Sequence, residues 1–238
     1  MNRPLIVAHR GVAIGAAENT LESFAKAIDV GADMIEFDVR LTGDGELIAF
    51  HDSQIRGVDL VKLTRRQIAD ATGNQPALFA EVLDLCAGKI KLDIELKEDG
   101  YVDRVVKILN DSIDLGQVIV TSFLPAALEQ TKTLLPGVKT GLLVGVGSPK
   151  PYVRTRSREL YPIDIARKIS ADYIAPHWKL ARLGVLRRAS AAGMPCLVWT
   201  VNEDNLIRRF ASDPRVMAII TDRAERALSI TTELAKQQ

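Results

Sequence analysis

The chain is nearly without cysteine. Two in 238 residues, Cys86 and Cys196, stand in no CxxC pair or ladder, which excludes a disulfide framework and reads as two small buried hydrophobes in a reducing compartment. An excess of either charge is missing too. Thirty-one basic against 30 acidic residues give a formal charge of +1, so no global field steers the protein onto nucleic acid or an anionic membrane, and any anion site must be local. Long apolar runs are absent as well. The N-terminal MNRPLIVAHRG breaks its apolar stretch at His9 and Arg10, too early for a secretory core, and no run reaches membrane-spanning length. With no internal repeat, low-complexity tract or linker, residues 1–238 are expected to form one domain, cytoplasmic and without membrane insertion, free to form an oligomer.

Short β-branched runs alternate with helical periodicity. The strand candidates are LIVAH (5–9), MIEFDV (34–39), IKLDIEL (90–96), VIVTSF (118–123), TGLLVG (140–145), YIAPHW (173–178), CLVWTV (196–201) and MAIITD (217–222). Between the first two, Leu21, Phe24, Ala25 and Ile28 keep a helical spacing, with an Asn19/Glu22 capping box and Gly31 as the stop. Eight apolar strands alternating with helices predict a closed (β/α)8 TIM barrel, an α/β fold, rather than an open doubly wound sheet. The tail from 223 reads as a closing amphipathic helix, and Asp222 as its N-cap.

One stretch breaks the alternation. After MIEFDVRLT comes Asp44-Gly45, a two-residue hairpin signal, and then ELIAFHD without an intervening helix. With those two residues as the loop, His51 falls opposite Asp38 on the same face. The segment of about 52–88 then reads as a small insertion after the second strand, with helical pieces near 64–71 and 79–87.

Within that strand Glu36 and Asp38 stand two apart among Met, Ile, Phe and Val, where an unpaired carboxylate is costly. Salt-bridged interior residues would be the structural explanation, but acids are seldom buried unpaired. In a barrel of this kind, strand C-terminal ends face the active-site mouth. There the sequence places His9, Arg10, Glu36, Asp38, Asp93, Glu95 and Lys97. Carboxylates from two strands beside a histidine make an oxygen-rich site suited to Mg²⁺, Ca²⁺ or Mn²⁺. His177 ends the sixth core strand and faces the same mouth, where it either supports residues of the site from behind or belongs to the rim. Further along, Arg154, Arg156 and Arg158 alternate on a loop after the fifth core strand, where they either draw in an anionic substrate or form a solvated surface.

HRG (9–11), AENTLESF (17–24), GADMIEFDVRLTGDGELIAFHD (31–52), DIELK (93–97), TSF (121–123), WTVN (199–202) and ITDR (220–223) resemble, in order, the motifs of the glycerophosphodiester phosphodiesterase family. The resemblance implies a barrel enzyme that hydrolyses glycerophosphodiesters, such as glycerophosphocholine, to glycerol 3-phosphate and an alcohol. It also implies roles: Glu36, Asp38 and Glu95 as ligands of a divalent metal ion, His9 and His51 as the acid/base pair, Arg10 and Lys97 as phosphate contacts, and Trp199 near the substrate. SQIRGVDLVKLT (53–64) departs from the family pattern beside the pocket. A phospholipase D-like or lysophospholipase D-like enzyme, or a catalytically silent binding protein, is the alternative. The sequence leaves open which histidine is the acid.

Overall fold

The computed structural model describes residues 3–13, 17–145 and 160–236; Arg154, Arg156 and Arg158 lie outside them. Its strands are β1 (Leu5–His9), β2 (Met34–Leu41), β3 (Leu47–Ala49), β4 (Gln54–Ile55), β5 (Val58–Asp59), β6 (Lys91–Leu96), β7 (Val118–Ser122), β8 (Lys139–Val144), β9 (Tyr173–Pro176), β10 (Cys196–Val198) and β11 (Val216–Thr221). Eight of them, β1, β2 and β6 to β11, run parallel in the order β1-β11-β10-β9-β8-β7-β6-β2, and pairing of β1 with β2 closes the ring. All eight expected core strands are present, each near its expected bounds.

Strand alternation divides the apolar side chains into two cores. Val7, Met34, Ile119, Leu143, Leu197 and Ile220 fill the barrel interior. Ile6, Ile35, Phe37, Leu92, Ile94 and Val120 face outward onto the helices. Helices Leu21–Asp29, Phe79–Cys86, Val102–Ser112 and Pro125–Leu134 pack in succession around that outer face. Cys86 and Cys196 are both buried free thiols. Two aspartates brace the barrel at the strand starts. Asp33 accepts from the Ile6 N–H at 2.7 Å and pairs with Arg3; Asp172 accepts from the Thr140 N–H at 2.9 Å and pairs with Lys132 and Lys139.

The first helix begins one residue later than its expected cap. Thr20 and Ser23 form the capping box of Leu21–Asp29, which leaves Asn19 free for a different task. The β2–β3 hairpin also differs from its expected register. Val39 pairs with Ala49 and Leu41 with Leu47, one residue away from the register of a two-residue turn. Three residues make the loop, Gly43 to Gly45, with Gly45 at φ +83° in the left-handed region that favours glycine. The cause is tertiary: the Gly43 N–H donates to Leu63 O at 2.7 Å, and a Cβ on Gly43 would meet Val61 O at 2.9 Å. The loop is therefore shaped by the segment that docks on it.

That segment carries β4, β5 and helix Arg65–Thr72, with Ile48, Leu60 and Ile68 forming a small core of their own. β6 occupies one edge of β2 from Met34 to Val39. β1 pairs with Met34 to Glu36 on the other edge, and β3 takes over that edge at Val39. The succession brings the chain beyond β3, with His51, above the end of β1 with His9.

Candidate active site

Inward-facing positions at the strand C-terminal ends are His9, Glu36 and Asp38, Asp93 and Glu95, Thr121, and, just past the last strand, Asp222. Strand pairing sets Glu36 level with Asp93 and Asp38 level with Glu95. All four acids are buried. An oxygen of each of Glu36, Asp38 and Glu95 lies within 4.8 Å of the others, so the three candidate ligands read from the sequence do converge. The two candidate phosphate contacts join them. Lys97 Nζ lies 2.6 Å from Glu95 Oε1 and 2.7 Å from Asp38 Oδ1, and Arg10 Nε lies 3.2 Å from Asp38 Oδ2. Lys97 thus pairs back into the barrel rather than outward with Glu98 or Asp99.

The charges do not balance. Four interior carboxylates face two cations, so with all of them ionised two negative charges remain, the charge of one divalent ion. The strain falls unevenly. Burial, with Asp38, Glu95 and Asp93 adding repulsion, pushes the Glu36 carboxyl well above the carboxylate range. Burial also raises Asp93 to about 7, although Thr121 Oγ1 donates to it at 2.7 Å. Glu95 is raised by burial against the pull of Lys97. Asp38 goes the other way, since Lys97, Arg10 and the Asn19 amide outweigh its burial and bring it to about 2. Its Oδ1 is buried and meets the Lys97 ammonium only off the direction that a hydrogen bond needs. Glu36, Asp38 and Glu95, hard oxygen donors short of positive charge, fit a divalent cation.

This imbalance makes a pH prediction. Glu36 and Asp93 keep protons in the metal-free fold at pH values where the unfolded chain has released them, so stability falls as pH rises from the ordinary carboxylate range to about 7. The melting temperature of chelated protein should drop between about pH 5 and pH 7, and the increment from added Mg²⁺ or Ca²⁺ should grow over that interval. A metal increment independent of pH would contradict the imbalance.

The two histidines line one cavity of about 830 Å³ together with Glu36, Arg10 and Lys97. His9 Nδ1 lies 2.5 Å from Asp222 Oδ1, and its Nε2 is 3.8 Å from Glu36 Oε2. His51 Nδ1 lies 2.8 Å from Asp52 Oδ1, and Arg40 Nε donates to its carbonyl at 2.7 Å. Burial lowers the His51 pKa, against the upward pull of Asp38 and Asp52. In each ring a carboxylate engages Nδ1, so Nε2 is the nitrogen free for proton transfer. His51 lies past the end of β3 and its strand register no longer sets it opposite Asp38, because the turn holds three residues rather than two.

Asp222 does not cap a helix. The helix that follows is Ala224–Ala235, and its N-cap is Arg223, with no side-chain cap. Asp222 instead holds His9, and Asn202 Nδ2 donates to its second oxygen at 2.5 Å. Burial would raise this carboxyl, but His9 and Asn202 lower it. The inward alternation of Ala218 and Ile220 extends to Asp222, a signal present in the sequence. Asn19 carried no such signal: its backbone is left-handed at φ +57°, and its amide donates to Asp38 Oδ2 at 2.9 Å and accepts from the Asp38 N–H at 3.3 Å.

Neighbouring backbone is equally constrained. Arg10 has φ +55°, its N–H donates to Glu36 Oε2 at 3.0 Å, and the next residue must be glycine, since a Cβ on Gly11 would lie 2.5 Å from Ser23 Oγ. Strain of this kind persists where surroundings enforce it. On the far wall Trp199 donates to Ala175 O at 2.7 Å and meets Phe123 and His177 edge-on, at 5.5 and 5.1 Å between ring centroids. Gly145 admits that ring, as a Cβ there would come within 2.7 Å of it. His177 stays at the rim, its Nδ1 accepting from the Lys179 N–H at 3.3 Å.

Comparison with known proteins adds to this geometry. The model of the glycerophosphoryl diester phosphodiesterase family matches residues 9–226. A glycerophosphodiester phosphodiesterase of Caldanaerobacter subterraneus subsp. tengcongensis is 27% identical over 249 residues, spanning 96% of this chain and 98% of its own. Two solved structures share the fold. A Parabacteroides distasonis glycerophosphodiester phosphodiesterase superposes with a TM-score of 0.81 at 24% identity, covering 98% of this chain and 99% of its own. An Oleispira antarctica phosphodiesterase, solved in complex with the product sn-glycerol-3-phosphate, gives 0.79 at 22% identity, covering 97% of each chain.

Proposed function

The chain belongs to the glycerophosphoryl diester phosphodiesterase family, and from that premise we propose that its barrel mouth hydrolyses glycerophosphodiesters to glycerol 3-phosphate and an alcohol. The observation that carries the reading is a three-carboxylate cluster and two carboxylate-held histidines around one cavity. Residues 1–238 act as one unit in this reading, with the chain of about 52–88 inserted after the second strand before its last helix, Phe79–Cys86, joins the barrel's outer ring. The enzyme works in the cytoplasm on a small soluble diester. Among the described residues no helix is long and apolar enough to cross a membrane.

Glu36, Asp38 and Glu95 would hold the divalent cation, Mg²⁺ or Ca²⁺, with Mn²⁺ able to replace them. Bound there, it supplies positive charge to the phosphoryl oxygens as negative charge grows in the transition state. Arg10 and Lys97, kept protonated by the acids around them, add donors for the same oxygens. His9 and His51 divide the proton traffic through Nε2. One gives a proton to the leaving alcohol oxygen, and the other takes a proton from the attacking oxygen, that of water or of a neighbouring substrate hydroxyl whose cyclic phosphate water then opens. Asp222 fixes the His9 tautomer with hydrogen on Nδ1, which leaves Nε2 to face the substrate. Phe123 and Trp199 present an apolar wall to the organic part of the substrate.

Asp222→Asn tests this division at one atom. An amide in place of the carboxylate can present an N–H to Nδ1, turning the ring to the unproductive tautomer. Turnover of glycerophosphocholine should fall about 10²-fold or more, with KM changed far less. Because Asp222 is half-exposed, the melting temperature should hardly move. Wild-type turnover in this variant would remove His9 from the proton path. A panel of glycerophosphodiesters and lysophospholipids, assayed with and without chelator, then separates the soluble-diester reading from a lipid-directed one.

A further inference from the structure

Tyr101 lies outside the cavity, yet its hydroxyl ties together the two strands that carry the acids. The side chain is buried to 1% exposure. Its oxygen accepts from the Lys97 N–H at 3.0 Å and the Glu98 N–H at 3.2 Å, and donates to Val39 O. Val39 follows Asp38 on β2, and Lys97 leaves β6 two residues after Glu95. Among the described residues the Lys97 N–H otherwise reaches only Val39 O itself, at 3.5 Å, and no other acceptor engages the Glu98 N–H.

We propose that Tyr101 is a positioning residue, whose hydroxyl fixes the departure of the chain from β6 so that Lys97 turns back over Asp38 and Glu95 while Glu98 holds Arg40. This proposal rests on the phosphodiesterase reading of the site. Two paths run from the hydroxyl. Through the Lys97 N–H it sets where the ammonium stands among the carboxylates. Through the Glu98 N–H it sets the carboxylate that pairs with Arg40, whose Nε holds the His51 carbonyl. One oxygen thereby aligns Lys97, on the anionic side of the cavity, with His51, on the proton-transfer side.

The group suits this role because it is both donor and acceptor and cannot leave. Burial raises its pKa, so it remains protonated. Phenylalanine keeps the ring and the packing and removes only the oxygen, which leaves the Glu98 N–H without a partner. Misplacement of catalytic groups by about 1 Å can cost on the order of 10² in rate.

The test compares Tyr101→Phe with Val105→Ala, a buried substitution one turn along the same helix, in full-length protein. For Tyr101→Phe, kcat on glycerophosphocholine should fall about 10- to 100-fold, and the Mg²⁺ concentration at half-maximal thermal stabilisation should shift several-fold. Amide hydrogen exchange of a peptide covering Lys97 and Glu98 should rise at least tenfold. Val105→Ala should lower the melting temperature while leaving kcat, the Mg²⁺ midpoint and that peptide near wild type. If Tyr101→Phe lowers only the melting temperature, the residue is merely structural and the proposal falls. Failure of the underlying reading looks different: the wild type itself would show no turnover, or turnover indifferent to chelation, whatever the exchange measurement gave.

Discussion

Glu36→Gln should lose at least about 10³-fold in turnover while becoming more heat-resistant than wild type in the absence of metal. The first effect follows from removing one of the three carboxylates proposed to hold the metal, because a divalent ion contributes several kcal/mol of transition-state stabilisation and each 1.4 kcal/mol is tenfold. The second follows from the surroundings. Glu36 is buried with Asp38, Glu95 and Asp93 as neighbours, so the metal-free fold must keep it protonated at a cost that grows with pH; a neutral amide avoids that cost and still offers an oxygen to the Arg10 N–H. Thermal melts with and without Mg²⁺ should show a higher metal-free melting temperature and most of the metal increment gone. A variant that keeps its activity, or a metal-free variant less stable than metal-free wild type, would count against the charge imbalance.

The second large effect separates the histidines. His9→Ala and His51→Ala should each lose roughly 10² to 10⁴ in rate on glycerophosphocholine. Choline leaves as a strongly basic alkoxide unless protonated, whereas a nitrophenolate departs without help. One of the two variants should therefore recover substantially on a nitrophenyl phosphodiester, and that one has lost the general acid. Equal losses on both substrates, with fold and metal binding intact, would rule out the division of labour.

Much of the architecture is legible because barrel strands alternate so regularly. LIVAH, MIEFDV and KLDIEL each set an apolar face toward the helices and a second set toward the axis, and the acids fall on the second. The same parity continues through Ala218 and Ile220 to Asp222, but a following helix made the carboxylate read as a cap. Local chemistry misled at the turn as well. Asp44-Gly45 is a strong two-residue signal, yet docking of Val61 to Leu63 on Gly43 draws a third residue into the loop. Asn19 and Thr20 are both good caps on local grounds. Only the fold decides between them, because Asp38 comes close enough to take the Asn19 amide. Tyr101 reads as one more core aromatic in sequence, since nothing local announces that its hydroxyl spans β2 and β6. What sequence withheld were contacts between distant elements.

The phosphodiesterase account meets its most direct test in the release of sn-glycerol 3-phosphate from glycerophosphocholine by purified protein, followed before chelation, after exhaustive chelation, and after return of Mg²⁺ or Ca²⁺. The charge-deficient cluster of Glu36, Asp38 and Glu95 predicts product formation that chelation stops and one of these ions restores. Product formation that survives chelation, or no product with any divalent ion, would contradict it.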